Sequence, residues 1–444
     1  MGRCARKKQL SKGASHMKRV LSAFAVFMAI ILSACGSGGQ TTTPQWSIPP
    51  LTLPAEHTPP PTAPVSSAPV PTPHVTVDPG PLPDADDLTG ETLISYNSGT
   101  NAVNLTDYNY ETKYALAGSS LIDITCPKDI YSLYVIWDLP PGSWNIKGTR
   151  EESFGDSGFI HEYVRLAEPS KELELTLPAD GATICDIYAF SYGAPPDWVQ
   201  QWLPPWEEAD MLLIPTHADD EHLFFGGAMP YYAGEMGLKV QVAYLTNHWN
   251  SPPRPHELLN GLWTVGIRAY PVISEFNDLY AGSLAEAERV YSTDSIMEFQ
   301  VWLLRRFRPL VVVNHDINGE YGHGVHMLNA KVIQEAVLLA ADSTSYPESA
   351  QEYGRWDTPK LYLHLYAQNE IIMNWDVPLD FFDGATAYEM AVAGYDCHKS
   401  QHQWAFAVRQ AGDPYDCRRF GLIRSTVGED VNRDDMFENI TMRG

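Results

Sequence analysis

Cysteine and basic residues are scarce in this sequence. Only six of its 444 residues are cysteine and none lies in a Cys-x-x-Cys pair, which argues against a zinc site built from thiolates. Lysine and arginine number 30 against 55 aspartates and glutamates, so the formal net charge of −25 would repel the phosphates of nucleic acids. We therefore expect no nucleic acid partner. The length suffices for two domains and a tail, with ample chain for a catalytic core.

The N-terminal segment has no apolar run long enough to span a membrane. The apolar stretch after Met17 has about a dozen residues, fewer than the roughly 20 that a spanning helix needs. Its basic start and its end in Leu-Ser-Ala-Cys at Cys35 predict a secretory signal over residues 1–34, with Met17 as the expected start. The last four residues resemble the bacterial lipobox, which implies cleavage before Cys35 and lipidation of that cysteine. A short uncleaved membrane helix is the alternative.

Residues 35–83 are rich in proline, threonine and serine and have no apolar period. This composition predicts an extended tether that holds the folded part away from the membrane. We expect an exported protein, lipid-anchored to the bacterial cell membrane and facing outward.

If the signal is removed with Cys4 and Cys35 carries lipid, four cysteines remain. In an exported protein this favours two disulfides. Pairing within each predicted domain would join Cys126 to Cys185 and Cys397 to Cys417, which is one of the three connectivities that four cysteines allow. Buried free thiols are the alternative.

Residues 84–195 predict an antiparallel β-sandwich. Short apolar runs such as "SLYVIWDL" and "ELELTL" alternate with turn sequences such as "LPPG" and "PADG". The segment "NAVNLTDYNYETKYAL" resembles the discoidin, or galactose-binding-like, jelly roll. That family contains carbohydrate-binding domains and structural spacers, and both alternatives stay open here.

Residues 205–444 predict an α/β fold with a mostly parallel, Rossmann-like sheet and helices on both faces. The runs "MLLIP", "KVQVAYLT", "PLVVVNH" and "KLYLHLY" are typical of buried strands. Helical patterns lie between them, over residues 255–265, 295–306 and 325–341. This alternation indicates a parallel sheet, whose ligands gather beyond the carboxyl ends of the strands.

Two groups of metal-ligating side chains follow two of these strands. "MLLIPTHADDE" brings His217, Asp219 and Asp220 directly after the first strand, and "PLVVVNHDINGEYGHGVH" brings His323 and His326 after another. An acidic turn alone would more simply cap a helix. Imidazole and carboxylate groups beyond two strands of one sheet instead form the ligand set that a divalent ion such as zinc needs. The sequence therefore predicts a metal site.

These motifs resemble the PIG-L (LmbE-like) family of zinc-dependent N-acetylglucosaminyl deacetylases. The family signature is a His-Pro/Ala-Asp-Asp-Glu block and a later His-x-x-His, matched here by "HADDE" and "HGVH", and "RPHE" and "GYDCHKSQ" also agree. Val325 departs from the family, where Asp is usual. The resemblance implies that His217, Asp220 and His326 bind Zn²⁺ with one coordination position left open, although other divalent ions fit such ligands.

The resemblance also implies the remaining roles. Asp219 would be the general base, because one of two adjacent carboxylates can bind the metal while the other faces the water. A cationic His323 and the hydroxyl of Tyr321 would stabilise the oxyanion. Arg254 would bind sugar hydroxyls, and Glu221 would orient its neighbours or cap the helix.

The expected function is removal of the acetyl group from an N-acetylated amino sugar in a glycan or glycoconjugate. A zinc amidase or esterase acting on another acyl group is one alternative. A glycan-binding lipoprotein without catalysis is another, but the filled ligand and base positions favour the enzyme. The sequence indicates neither the particular glycan nor an oligomeric state.

Overall fold

The computed structural model describes residues 82–96 and 100–443, all within one compact unit, Asp78–Gly444. The predicted signal over residues 1–34, the lipidation site Cys35 and nearly all of the tether lie outside the described residues and stay predictions. Among the described residues, no helix combines the length and apolar character that crossing a membrane requires. The predicted domain limits at residues 84–195 and 205–444 likewise stay predictions.

The N-terminal half of the described chain contains an eight-stranded antiparallel sheet. Its described strands are β1 (Leu93–Tyr96), β2 (Thr100–Asn101), β3 (Tyr114–Leu116), β4 (Leu121–Trp137), β5 (Trp144–Lys147), β6 (Glu151–Phe154), β7 (His161–Thr176) and β8 (Ala182–Phe190). The first part of β4 pairs with β1 and its last part with β8, while β7 accompanies both parts. The register shifts between Thr125 and Ser132. Ile122 before this shift and Val135 after it face one common apolar core, as a β-sandwich requires.

The two predicted disulfides are wrong, because every cysteine of the described residues is a free thiol. Cys126 packs into the core of the antiparallel sheet, whereas Cys185 packs into a separate apolar cluster, so the two side chains do not meet. Cys397 contacts the hydroxyl of Thr264 at 3.6 Å, while Cys417 is fully buried in the main core. Burial raises the pKa of both Cys185 and Cys417 to about 12, which keeps these thiols protonated.

The C-terminal half contains a seven-stranded sheet with the order β11-β10-β9-β12-β13-β15-β14 among the described residues. Its strands are β9 (Met211–Leu213), β10 (Val240–Tyr244), β11 (Val272–Ile273), β12 (Val311–Asn314), β13 (Lys360–His364), β14 (Glu370–Ile372) and β15 (Arg419–Ser425). Neighbours from β11 to β13 are parallel, and β15 is antiparallel to both β13 and β14. The mixed α/β fold is confirmed, and the antiparallel edge is a feature that the sequence patterns did not predict.

Helices cover both faces of this sheet. They are α1 (Asp220–Leu223), α2 (Pro253–Thr264), α3 (Leu284–Val290), α4 (Thr293–Phe307), α5 (Gly324–Ala341), α6 (Pro347–Tyr353) and α7 (Ala387–Asp396). Shorter turns are 3-10 helical at Thr89–Glu91, Val103–Thr106, Glu320–Gly322, Asp380–Phe382 and Lys399–Gln401, and π-helical at Pro230–Glu235. Alternate strand residues point to opposite faces, so Leu212 and Val312 pack with α4 and α5, whereas Leu213 and Val313 pack with α2 and α7.

The antiparallel sheet contacts the α/β part through buried side chains. His161 Nε2 lies 2.9 Å from His256 Nδ1 in the first turn of α2. The ring of Phe159 stacks on Tyr270 with centroids 4.4 Å apart. The His161 contact joins the antiparallel sheet to α2, and the Phe159 contact joins it to the chain segment after α2.

Strands β9 and β12 are adjacent and parallel, with Leu213 opposite Val313. The chain segments that follow them therefore meet at one edge of the sheet. The segment after β12 leads to α5, where the His323 side chain caps the helix by accepting from the backbone N–H of Val325. This arrangement brings the two histidine-containing motifs together.

Candidate metal centre and active site

The three predicted metal ligands converge. His217 Nδ1 lies 3.1 Å from Asp220 Oδ2 and 3.1 Å from His326 Nε2, and His326 Nε2 lies 3.2 Å from Asp220 Oδ2. Tetrahedral ligands about 2.0–2.1 Å from a Zn²⁺ ion are roughly 3.3 Å apart, so this triangle has the dimensions of a zinc site. Less than a tenth of each residue is exposed.

The turn after β9 holds the first two ligands in place. Asp220 Oδ2 accepts from the backbone N–H of His217 at 2.7 Å, which closes the turn at the start of α1. The backbone N–H of Thr216 donates to His315 Nε2 at 2.9 Å, which ties this turn to the segment after β12. Both hydrogen bonds are buried, so they restrict the geometry of the ligands.

The electrostatics of the cluster favour a positive charge among these side chains. Burial lowers the pKa of His217, but the carboxylates of Asp278 and Asp220 outweigh it and raise that pKa to about 10. Burial also lowers the pKa of His326, but the Asp220 carboxylate outweighs burial and raises that pKa to about 9. A divalent cation supplies the positive charge that such a donor set favours, so the residues present fit a metal ion.

Asp219 faces different partners from its neighbour Asp220. Its Oδ1 atom lies 3.3 Å from Arg254 Nη2, and its backbone N–H donates to Glu221 Oε2 at 2.9 Å. Burial raises the pKa of Asp219 to about 8, although the Arg254 guanidinium lowers it. The backbone of Asp219 has φ 124°, a region costly for a residue with a side chain. The surrounding contacts therefore hold the backbone of Asp219 in a strained conformation, which positions its carboxyl beside the ligands.

Arg254 contacts protein groups in the described structure. Besides Asp219, its guanidinium donates to the backbone carbonyl of Ala218. These contacts make it a positioning residue for the Asp219 carboxyl, a role that the sequence did not indicate. Binding of sugar hydroxyls by Arg254 stays a prediction.

His323 lies against the ligand cluster, in surroundings that disfavour the cationic form expected from the sequence. Its ring centroid is 4.8 Å from that of His217 and 4.7 Å from that of His326. Burial and these two imidazoles lower the pKa of His323 to about 3. Because Nδ1 accepts from the Val325 N–H, the neutral ring carries its proton on Nε2 and can still donate one hydrogen bond.

Tyr321 lies at the edge of the cluster and is 43% exposed. Its ring packs against Tyr415 with centroids 4.2 Å apart and against Phe406 at 5.1 Å. It also contacts Phe224, whose ring in turn packs against His326. Burial raises the pKa of Tyr321 to about 12, so its hydroxyl keeps its proton at neutral pH.

Glu320 is a central residue to which the sequence analysis assigned no role. This fully buried carboxylate accepts from His326 Nδ1 and His315 Nδ1 at 2.9 Å each, and from His364 Nδ1 at 2.6 Å. Burial opposes the charge of Glu320, but the three imidazoles hold its pKa well below the ordinary value. A carboxylate behind a ligand histidine fixes the ring orientation. Its place in the "NGEYGH" motif was the available signal.

Asp278 and His248 are two further residues at the site that the sequence did not indicate. Asp278 Oδ1 lies 3.4 Å from His217 Nε2, and its Oδ2 lies 3.4 Å from His248 Nδ1. The other nitrogen of His248 accepts from the backbone N–H of Ala218 at 3.0 Å. These residues come from loops after β10 and β11, where no sequence pattern pointed to the site.

Comparison with known proteins finds relatives that include two deacetylases of the same name. The 1D-myo-inositol 2-acetamido-2-deoxy-alpha-D-glucopyranoside deacetylase of Rhodococcus erythropolis is 27% identical over 189 residues, covering 34% of this chain and 59% of that protein. The enzyme of the same name from Rhodococcus jostii is 30% identical over 182 residues, 35% of this chain and 61% of that protein. The chain thus spans about three-fifths of the length of these curated relatives.

No protein-family model matches the chain. Among solved structures, N,N'-diacetylchitobiose deacetylase from Pyrococcus horikoshii is 18% identical with a TM-score of 0.33, covering 44% of this chain and 72% of that one. A likeness of this size decides neither fold nor function. The relatives in sequence are deacetylases of compounds that contain N-acetylglucosamine.

Proposed function

We propose that this chain is a metal-dependent hydrolase that removes the acetyl group from N-acetylated amino sugars. The observation that carries the proposal is the triangle of His217, Asp220 and His326 with the Asp219 carboxyl beside it. The deacetylases to which the chain is similar in sequence support the choice of an acetamide as substrate. Zinc is the proposed ion, because two imidazoles and one carboxylate at these distances suit it.

The proposed reaction divides the work between a few groups. A bound divalent metal would lower the pKa of a water molecule and polarise the acetyl oxygen. The ionised form of Asp219, whose share rises as the pH approaches its pKa of about 8, takes a proton from the water, whose oxygen forms a bond to the acetyl carbon. The Nε2–H of His323 and the Tyr321 hydroxyl donate to the developing oxyanion. The carbon–nitrogen bond then breaks, the amine nitrogen receives the proton from Asp219, and the products are acetate and a free amine.

The acyl specificity can be tested with a panel of substrates. The full-length protein would be incubated with N-acetylated sugars, the same sugars carrying other N-acyl groups, and O-acetylated esters. We expect acetate from the N-acetylated sugars at rates well above those of the other two sets. Faster release of another acyl group, or of acetate from the esters, would instead identify the amidase or esterase alternative.

A groove beside the site is suited to hold the rest of the substrate. Its volume is about 340 Å³, and aromatic and polar side chains line it, including Tyr395, Trp404, Phe406 and Asp396. The ring of Phe406, which lines this groove, contacts Tyr321 at the edge of the candidate site. Aromatic faces beside carboxylates are suited to sugar rings, which are apolar on their faces and polar at their edges. We propose that a second sugar or an aglycone occupies this groove.

Trp404→Ala is expected to raise KM roughly three- to tenfold with little change in kcat, because an aromatic contact contributes about 0.5–1.5 kcal/mol. Trp404 is 43% exposed, so its removal leaves the core intact. Initial rates on an N-acetylated disaccharide would measure the effect. Phe381→Ala is the matched control, since this exposed aromatic does not line the groove. Equal KM values for the two variants would remove the groove from the substrate site.

The proposed location is the outer face of the bacterial cell membrane, with lipid on Cys35. Cys35→Ala is expected to move most of the protein from the membrane fraction to the soluble fraction, because a lipid chain contributes about 0.8 kcal/mol per buried methylene. Immunoblotting of both fractions measures this. Cys126→Ala serves as the control cysteine variant. Unchanged fractionation of Cys35→Ala would contradict lipid anchoring at that residue.

A further inference from the structure

A second group of metal-ligating side chains lies behind the candidate active site. Glu221 and His222 on α1 meet His398, which follows α7, and all three residues are fully buried. Glu221 Oε1 lies 3.3 Å from His222 Nε2 and 3.4 Å from His398 Nε2. One donor atom from each residue lies within 4.8 Å of the others. This group has no part in the proposed deacetylation.

The polar atoms of this group have no hydrogen-bond partners. Both ring nitrogens of His222, both of His398 and the Oε1 atom of Glu221 are buried and unpartnered. Leaving even one such group unpaired costs about 1–3 kcal/mol, so five together require an explanation. An ion bound by Glu221 Oε1 and by one ring nitrogen of each histidine would satisfy three of these five atoms.

Glu320 provides an internal comparison for this geometry. It is also a fully buried carboxylate among histidines, and its contacts of 2.6–2.9 Å are well-formed hydrogen bonds. The contacts of Glu221 with His222 and His398 are longer, at 3.3 and 3.4 Å, and are not aligned as hydrogen bonds. Ligands around a tetrahedral zinc ion are held roughly 3.3 Å apart with their lone pairs directed at the metal rather than at each other. The two contacts of Glu221 Oε1 have that spacing.

Gly261 on α2 keeps the space beside the two ring nitrogens free. A methyl group at this position would lie 2.6 Å from His222 Nε2 and 3.0 Å from His398 Nε2. Both nitrogens therefore border the same small space, which any side chain at residue 261 would fill. An alanine at this position would therefore crowd both candidate ligand atoms.

We propose that Glu221, His222 and His398 bind a second divalent metal ion, of which zinc is the best fit. Two imidazoles and one carboxylate form a known zinc ligand set. The full burial of the three residues makes the role structural, because no substrate can reach the ion. The ion joins α1 to the segment after α7. Glu221 Oε2 also accepts from the backbone of Asp219, so the same ion steadies the turn that carries the candidate base.

Metal analysis of the full-length protein tests this proposal, which does not depend on the proposed reaction. The protein would be purified with added Zn²⁺, passed through a desalting column and measured by mass spectrometry for zinc per chain. We expect two ions in the wild type and one in His398→Ala. His402→Ala is the matched control, since this exposed histidine lies near His398 in sequence, and it should retain two ions. Gly261→Ala should also lose one ion while every donor remains.

Anomalous diffraction at the zinc edge from wild-type crystals decides the question without any variant. An anomalous peak bounded by Glu221, His222 and His398 is the expected result. A single ion per chain in the wild type, retained by His398→Ala, would overturn the proposal. A water molecule without anomalous signal at this position would overturn it as well. Either outcome leaves the deacetylase proposal standing, because that proposal depends on His217, Asp220 and His326.

Discussion

Asp219→Asn is expected to lower kcat by roughly 10²–10⁴-fold on an N-acetylated sugar, the usual contribution of a positioned general base. The amide keeps the size and shape of the side chain but cannot accept the proton from water. Because Asp219 contacts Arg254 rather than the ligand triangle, the zinc content should match that of the wild type. Steady-state kinetics and metal analysis on the same preparation measure both effects.

The control for this variant is Asp210→Asn. Asp210 is also buried, but it lies immediately before β9, at the end of the strand opposite the site, where its side chain accepts from the backbone N–H of Lys239 at 2.9 Å. An asparagine oxygen can accept the same hydrogen bond, so activity should stay near that of the wild type. Full activity of Asp219→Asn would show that another group acts as the base.

His326→Ala is expected to abolish measurable acetate release and to remove one zinc ion per chain. The change deletes one corner of the ligand triangle and leaves Asp220 without one of the imidazoles that hold its pKa well below the ordinary value against burial. Glu320→Gln provides a graded comparison, since it keeps all three ligands and alters the carboxylate that accepts from His326 Nδ1 and from the His315 and His364 imidazoles. Loss of such a partner typically weakens metal affinity by 10–100-fold.

The informative result is the order of zinc affinities among the wild type and these two variants. Zinc titration should give wild type the highest affinity, Glu320→Gln an intermediate value and His326→Ala no binding at the triangle. Circular dichroism would check that each variant is folded. One ion is proposed at Glu221, His222 and His398. If a folded His326→Ala protein binds zinc in addition to that ion, the triangle is not the metal centre.

The main secondary structure was predictable because its signal is local. The apolar runs over residues 211–215, 239–246, 309–315 and 360–366 contain buried strands in the structure, whose ends lie within two residues of the expected ones. Parallel strands buried on both faces are apolar throughout, so their sequences stand out. The convergence of the two histidine motifs followed from the rule that ligands gather at the carboxyl ends of such strands.

The supporting groups of the site could not be predicted in the same way. Glu320 contacts three histidines that lie in separate segments of the chain. Asp278 contacts His217 from a loop without regular structure. Contacts of this kind depend on tertiary packing that no periodicity records. Arg254 was assigned to the substrate from its motif, but only the structure shows its contact with Asp219.

The error over the disulfides has a similar cause. The prediction of disulfides came from an even number of cysteines in a protein expected to be exported. A disulfide also needs Cβ atoms that face each other about 3.5–4.5 Å apart. Cys126 lies in β4 and Cys185 in β8, and their two side chains point into different apolar clusters. The direction of a side chain depends on strand register, which the count of cysteines does not contain.

The most direct test of the central claim is acetate release by the full-length protein as a function of bound zinc. The protein would be stripped with a chelator, checked for its fold, and titrated with Zn²⁺ in the presence of an N-acetylated amino sugar, with Asp219→Asn carried in parallel. A metal-dependent hydrolase predicts no acetate without zinc, a rise that saturates with the ion, and little release by Asp219→Asn throughout. Release that is independent of zinc, or no release by a folded and zinc-loaded wild type from any N-acetylated sugar, would contradict the account.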